Sequence, residues 1–174
     1  MSVETIFRIH LVLGYVAWLM CFGVYIWPRL KSMDHIEAQR AIATLHSFRF
    51  FGLVFIVPGV VSPDLPQDFA TVAAYGDFAT GVLALLALAL IRTRPLFWAL
   101  VVAYNLVGIG DLLIDYYDAT MAGLPAVAGE FGGMYVIPII YVPILMITHI
   151  ASFYLLLRAQ RAAQTPAAGA AAAI

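Results

Sequence analysis

The stretch 70–117, ATVAAYGDFATGVLALLALALIRTRPLFWALVVAYNLVGIGDLLIDYY, decides the fold. It holds two continuously apolar runs, Ala70 to Ile91 and Pro95 to Tyr117, joined at the four-residue turn 92–95. Each run is near the ~20 residues that carry an α-helix across a ~30 Å hydrocarbon core. A turn of that length makes the two helices antiparallel neighbours. Membrane strands are excluded, because a barrel needs alternating segments of about 10 residues rather than unbroken apolar runs.

Three further runs of the same kind flank this pair, at about Thr5 to Trp27, Ala43 to Val61 and Met134 to Leu157. The expected fold is therefore an all-α, polytopic bundle of five transmembrane helices over residues 1–158, followed by an Ala-rich disordered tail over 159–174. Composition agrees. The 174 residues are 64% hydrophobic and 11% charged, against about 25% charged in a soluble domain. Mean hydropathy is +0.96. Those values exclude an ordinary soluble domain and a disordered chain, and a net charge of −1 gives no basic field for nucleic acid. The lipid bilayer is the expected partner, and a homo-oligomer is open.

The first run lacks a basic segment ahead of it and ends at Tyr25-Ile26-Trp27-Pro28-Arg29, which reads as a membrane exit rather than a cleavage site. Pro28 is expected to end that helix. Orientation follows from the basic residues. With the N-terminus outside, Arg29, Lys31, Arg40, Arg92, Arg94, Arg158 and Arg161 all fall on the cytoplasmic side, seven of the nine Lys and Arg in the chain. The outer connections carry Asp64, Asp68, Asp118 and Glu130 and no Lys or Arg. The positive-inside rule gives an outer N-terminus and a cytoplasmic C-terminus. Asp34 is a candidate N-cap for the second helix. The connection 118–133 is rich in glycine and reads as a lid or a plain loop. Cys21 is alone, so it makes no intrachain disulfide and is read as a packing residue.

The residues that need an explanation are ionisable and lie in oil. A charge at mid-membrane costs on the order of 2.5–3.5 kcal/mol even on the insertion scale, so such groups are expected to face inward, pair, or stay neutral. Small-residue stripes point the same way. His10, Gly14, Ala17 and Cys21 recur at helical spacing, as do Ala70, Ala73, Asp77, Gly81 and Ala84, and Tyr104, Gly108, Asp111 and Asp115. At ~1.5 Å per residue, His10, Asp77 and Asp111 fall in one outer layer with Asp115 above them. His46, Arg49 and His149 fall in an inner layer, and Asn105 lies between the two.

The outer cluster reads either as a structural lock, a His10–Asp77 or His10–Asp111 hydrogen bond, or as a cation or proton site. The inner cluster reads as Arg49 and His46 snorkelling to headgroups, or as two axial histidines, His46 and His149, on a b-type haem with Arg49 on its propionates. Arg49 also suits an anionic ligand or a quinone-like headgroup. Pro138 and Pro143 each free a carbonyl one turn earlier, at Met134 and Ile139, which makes either a packing kink or a cavity-lining carbonyl. Metal-protease, P-loop, dinucleotide and nucleophile-elbow patterns do not occur, so no catalytic residue is nominated.

The run His46-Ser47-Phe48-Arg49-Phe50-Phe51-Gly52-Leu53-Val54-Phe55, then Val57-Pro58-Gly59-Val60-Val61, Ala74-Tyr75-Gly76-Asp77, Asn105-Leu106-Val107-Gly108 with Asp111-Leu112-Leu113, and the Pro138 to His149 stretch resemble a group of small uncharacterised bacterial multi-pass membrane proteins. The resemblance covers about 42–150. It implies a bacterial cytoplasmic (inner) membrane and carries no assigned activity. The function expected from the residues is binding or transport of a small solute, ion or proton through an inward-facing polar core. A haem-bearing redox protein and a structural subunit of a membrane complex are the alternatives.

Overall fold

The computed structural model describes residues 1–164, with side chains described to Arg158. The described residues are helical, with turns between the elements and no strand. Helix α1 is Val3–Ser32, α2 is His35–Ser47, α3 is Gln67–Ala89, α4 is Arg94–Met121 and α5 is Val142–Gln164. A 3₁₀ helix, Phe48–Ile56, continues α2, a second one, Leu124–Tyr135, follows α4, and a π turn, Ile137–Tyr141, leads into α5. Four helices among the described residues are long and apolar enough to cross a membrane: Val3–Ser32, Gln67–Ala89, Arg94–Met121 and Ile137–Arg158.

The bundle is inverted relative to a soluble protein. Leu13, Leu106, Leu113 and Ile150 are each more than half exposed on its outside. Gln39, His46, Arg49, Asp77, Asn105, Asp111, His149 and Ser152 are buried inside. Water would penalise that apolar exterior, whereas lipid tails match it, so the surroundings are a bilayer.

Several local features differ from the expectation. Pro28 does not end the first helix. The π turn Phe22–Ile26 precedes it, with the Trp27 N–H donating to Phe22 O five residues back, and the helix runs on to Ser32. The wider turn absorbs the backbone disruption that the proline imposes. α2 starts where expected: Asp34 accepts the Ile36 and Glu37 amides at 2.9 and 3.0 Å. The segment 43–61 is not one α-helix; the α-helix stops at Ser47 and the 3₁₀ helix stops at Ile56. The connection 118–133 is not an open loop. α4 runs to Met121, Gly123 turns the chain at φ +67°, and the following 3₁₀ helix buries Leu124, Ala128 and Phe131. Phe131 packs edge-on to Phe55 and Phe69 with ring centroids 6.0 Å apart, and the Ser62 amide donates to Glu130 O, joining the connection before α3 to the one after α4.

Pro143 leaves Ile139 O without its intrahelical donor, and α1 comes up against it. Gly14 lies so close to Ile139 O that a side chain at that position would collide with it. Four residues on, the Trp18 indole N–H donates to Ile140 O at 2.8 Å. α1 therefore packs closely against the broken start of the last span and donates to one of its carbonyls, Ile140 O, which is not one of the two that the prolines free. The last helix continues past Leu157 to Gln164, and the rest of the expected tail, 165–174, lies outside the described residues.

Candidate functional site

Arg49 is the centre of the bundle. It is on the 3₁₀ helix, whose 3.0 residues per turn stack every third side chain on one face. The buried residues of that helix are Arg49, Gly52 and Phe55, and His46 precedes them by the same step. On an α-helix this spacing would drift off the core by about 60° per step. The 3₁₀ geometry is what keeps His46, Arg49, Gly52 and Phe55 all facing inward.

The guanidinium has five N–H groups, and four of them have named partners. Nε donates to Asp77 Oδ1 and Nη2 to Asp111 Oδ2, both at 2.5 Å. Nη1 donates to Gly108 O at 3.1 Å and to His149 Nε2 at 3.2 Å. Arg49 is 0% exposed, so two carboxylates and two neutral acceptors replace its hydration. Three glycines make the room. Side chains at Gly52 and Gly76 would collide with the carboxyl groups of Asp77 and Asp111 respectively. A Cβ at Gly108 would lie 2.5 Å from His149 Nε2 and 2.7 Å from Arg49 Nη1. Each helix thus seats a polar group of another.

Below Arg49 runs a hydrogen-bonded chain whose directions fix one another. Asn105 Nδ2 donates to Val101 O and to Ser152 Oγ, at 2.8 and 2.9 Å. Its Oδ1 therefore accepts from His149 Nδ1–H at 2.9 Å. Ser152 Oγ donates to Gln39 Oε1 at 2.6 Å, and Gln39 Nε2 returns to Ser152 O at 3.0 Å. His149 is consequently the Nδ1–H tautomer, with a lone pair on Nε2 for Arg49. His46 has the opposite tautomer. Thr148 Oγ1 donates to the Ile144 and Leu145 carbonyls, so it accepts from His46 Nε2–H at 3.1 Å. That leaves His46 Nδ1 buried without a partner.

These contacts merge the two clusters expected from sequence into one. Asp77, Asp111, Arg49, His149 and Asn105 are in a single network, and His46 stacks on His149 with ring centroids 3.9 Å apart. The expected separation of layers came from helix ends placed a few residues off. Measured from Ile56, Gln67 and Met121, the ends of their elements on one side of the bundle, Arg49 lies ~14 Å in at the 3₁₀ rise, and Asp77 and Asp111 ~15 Å in at the α rise. His10 is the exception and a correction. It is exposed, bonds Tyr135 Oη through Nδ1 at 3.1 Å, and touches neither aspartate. The buried and half-buried face of α1 is Phe7, Leu11, Gly14, Trp18 and Phe22, not the stripe through His10 and Ala17. An α-helix turns ~100° per residue, so His10 is a full residue out of phase with Leu11.

The residues do not fit a haem. An iron between two axial imidazoles puts the porphyrin plane between their rings. Here the His46 and His149 rings are in direct contact, and both Nε2 atoms are already bonded. Headgroup snorkelling is also not what Arg49 does, since it points into the bundle at two carboxylates.

Asp115 stands one turn above Asp111 on α4, half-buried, with Oδ1 enclosed and unpartnered. It shares with Asp77 the floor of a cleft of about 510 Å³. The cleft opens at the end of the bundle that carries the N-terminus, between Glu4 and Arg8 of α1 and Gly123 and Pro125 beyond α4. Its walls are apolar: Phe7, Leu11, Phe55, Phe69, Leu124 and Phe131. Tyr116 also lines it, and its Oη meets Tyr15 Oη at 2.7 Å, tying α4 to α1. Sequence reasoning missed the cleft and the seats at Gly52 and Gly76, although it placed Gly108 on a packing stripe. The glycines had a signal: Gly52, Gly76 and Gly108 each sit one or three residues from a core charge.

No curated protein and no solved structure matches this chain. Residues 6–157 match the family described as a domain of unknown function, DUF8737, and the chain belongs to that family.

Proposed function

We propose that this is a five-span membrane protein that binds a small cationic solute or a proton in the cleft ending on Asp77 and Asp115, with the Arg49 network as its fixed base. The observation that carries this reading is the charge imbalance at the cleft floor. Asp77 and Asp115 line the floor, and the one guanidinium, Arg49, is bonded to Asp77 and to Asp111 behind it and not to Asp115. In a low-dielectric site that surplus of acid must be balanced by a cation or by protons. The Asn105–Ser152–Gln39 chain is structural, because an always-charged arginine and side-chain amides do not relay protons. The solute therefore enters and leaves by the cleft in this conformation.

Five crossings are supported by length: α2 with its 3₁₀ continuation rises ~37 Å, enough for the hydrocarbon core. The basic residues of the connections support an outer N-terminus, so the cleft faces outward. The likeness to small bacterial membrane proteins supports the bacterial cytoplasmic membrane as its location.

The test is thermal unfolding of the purified protein in detergent, with sodium, potassium and ammonium salts and buffers from acid to alkaline. A bound ion or proton stabilises the native state by mass action. Wild type is expected to respond to a cation or to acid more strongly than Asp115→Asn. Identical responses of the two proteins overturn the reading.

A further inference from the structure

Resting on the reading of the cleft as a cation site, we infer that its ligand is a hydrophobic organic ammonium ion, with its N–H groups on Asp115 and its apolar body against the phenylalanines. Two independent features specify the two ends. At the floor, Asp115 lines the cleft, and its Oδ1, closed off beneath the surface, has no donor in the protein. A half-buried carboxyl group without a donor is costly, and an N⁺–H group is the strongest partner a carboxylate can take. Above it, the walls are Phe7, Phe55, Phe69 and Phe131. Their rings are held in edge-to-face contacts, Phe55 to Phe69 at 6.3 Å and Phe131 to both at 6.0 Å. They form a preorganised aromatic wall that suits both apolar groups and a nearby cation.

An inorganic cation does not use this shape. Sodium, potassium or calcium is held by a shell of several oxygens, and the described residues hold no group of three or more His, Cys, Asp or Glu placed to supply one. The cleft volume of about 510 Å³ falls in the range of ~300–1,000 Å³ occupied by organic ligands. An organic anion is disfavoured by the same carboxylates. Glu4 and Arg8 at the mouth bond each other at 2.5 Å and leave no free charge of either sign there.

Three probes with one skeleton test this: 3,3-diphenylpropylamine, the alcohol 3,3-diphenylpropan-1-ol, and the acid 3,3-diphenylpropanoate. Binding is measured by equilibrium dialysis against protein in lipid nanodiscs, with empty nanodiscs subtracted. The amine is expected to bind saturably, at least tenfold tighter than the alcohol, with no saturable binding of the acid. Asp115→Asn should cost the amine tenfold or more and leave the alcohol unchanged, while Asp64→Asn on the outer turn changes neither. Circular dichroism and the melting temperature of Asp115→Asn establish that it is folded. Equal binding of amine and alcohol overturns the inference and assigns the cleft to neutral lipophiles or lipid tails. Absence of saturable amine binding, with the cation or acid response of the melting curve still dependent on Asp115, overturns this inference alone and leaves an inorganic ion or a proton as the ligand. Absence of both overturns the cation site itself.

Discussion

Arg49 Nη2 and Asp111 Oδ2 lie 2.5 Å apart although 62 residues separate them in the chain. The same guanidinium reaches Asp77, 28 residues away, through Nε. One arginine therefore ties the 3₁₀ helix to α3 and α4 at the centre of the bundle. Charge and geometry act together there: the planar fork donates in several directions at once, which a lysine ammonium on a flexible stem does not reproduce.

Arg49→Ala should be among the most damaging single changes in the protein. It leaves two buried carboxyl groups without a counter-charge, and breaking such a pair costs about 3–5 kcal/mol. Unfolding in detergent should show this loss. Asp77→Asn with Asp111→Asn in the Arg49→Ala background should restore part of it, because the stranded charges are gone. A triple variant no more stable than Arg49→Ala would separate the damage from electrostatics. Arg49→Lys should fall between wild type and Arg49→Ala.

The glycine seats give a paired prediction on one helix. Gly108→Ala pushes a methyl to 2.5 Å from His149 Nε2 and 2.7 Å from Arg49 Nη1, and overpacking of this kind costs about 1–3 kcal/mol. Gly110→Ala has no atom within 4 Å of the added carbon, and alanine is the better helix former, so it should be neutral or stabilising by up to about 1 kcal/mol. Equal melting temperatures for the two variants would contradict the close approach at Gly108.

Trp18→Phe keeps an aromatic ring and removes the donor to Ile140 O. The loss should be about 1 kcal/mol, the net worth of one hydrogen bond. It should be felt at the α1 contact with the π turn, as faster hydrogen exchange at the start of the last span. Exchange unchanged there would mean that the indole N–H does not restrain that turn.

Asp34 lies outside the membrane-spanning segments, and the hydrogen bond from the Glu37 amide, more than that from Ile36, holds its carboxyl below the usual carboxylate value of 3.8. A depressed folded value contributes stability that is complete above the unfolded value and is lost as pH falls through the folded one. Asp34→Ala should therefore melt below wild type at neutral pH, and the gap should close below about pH 4. A gap that persists into acid would place the effect in chain stiffness rather than in the charged cap.

The parts of the fold legible in the sequence were those with a local cause. The cap at Asp34 is a short-range hydrogen bond. The stripe Ala70, Ala73, Asp77, Gly81 and Ala84 is buried along α3, as its helical spacing implies. The phase of α1 was not legible, because His10, Gly14, Ala17 and Cys21 have the right period but only Gly14 meets a neighbour closely. Periodicity reports that a face exists, and only the partner helix says which face is covered. Nor was the 3₁₀ continuation of α2 read from the sequence, although His46, Arg49, Gly52 and Phe55 at steps of three carried the hint.

By itself the sequence determined that this chain lives among lipid tails and that its intramembrane ionisable groups need a partner, because transfer free energy depends on composition; it left Arg49 open between the headgroups and the bundle interior. Only the tertiary structure decided that Arg49 meets both aspartates at one depth, that His10 stays outside, and that Asp115 looks into an aromatic cleft. Those outcomes depend on where each helix ends and on glycines that let backbones approach. Both are properties of packing between segments far apart in the chain.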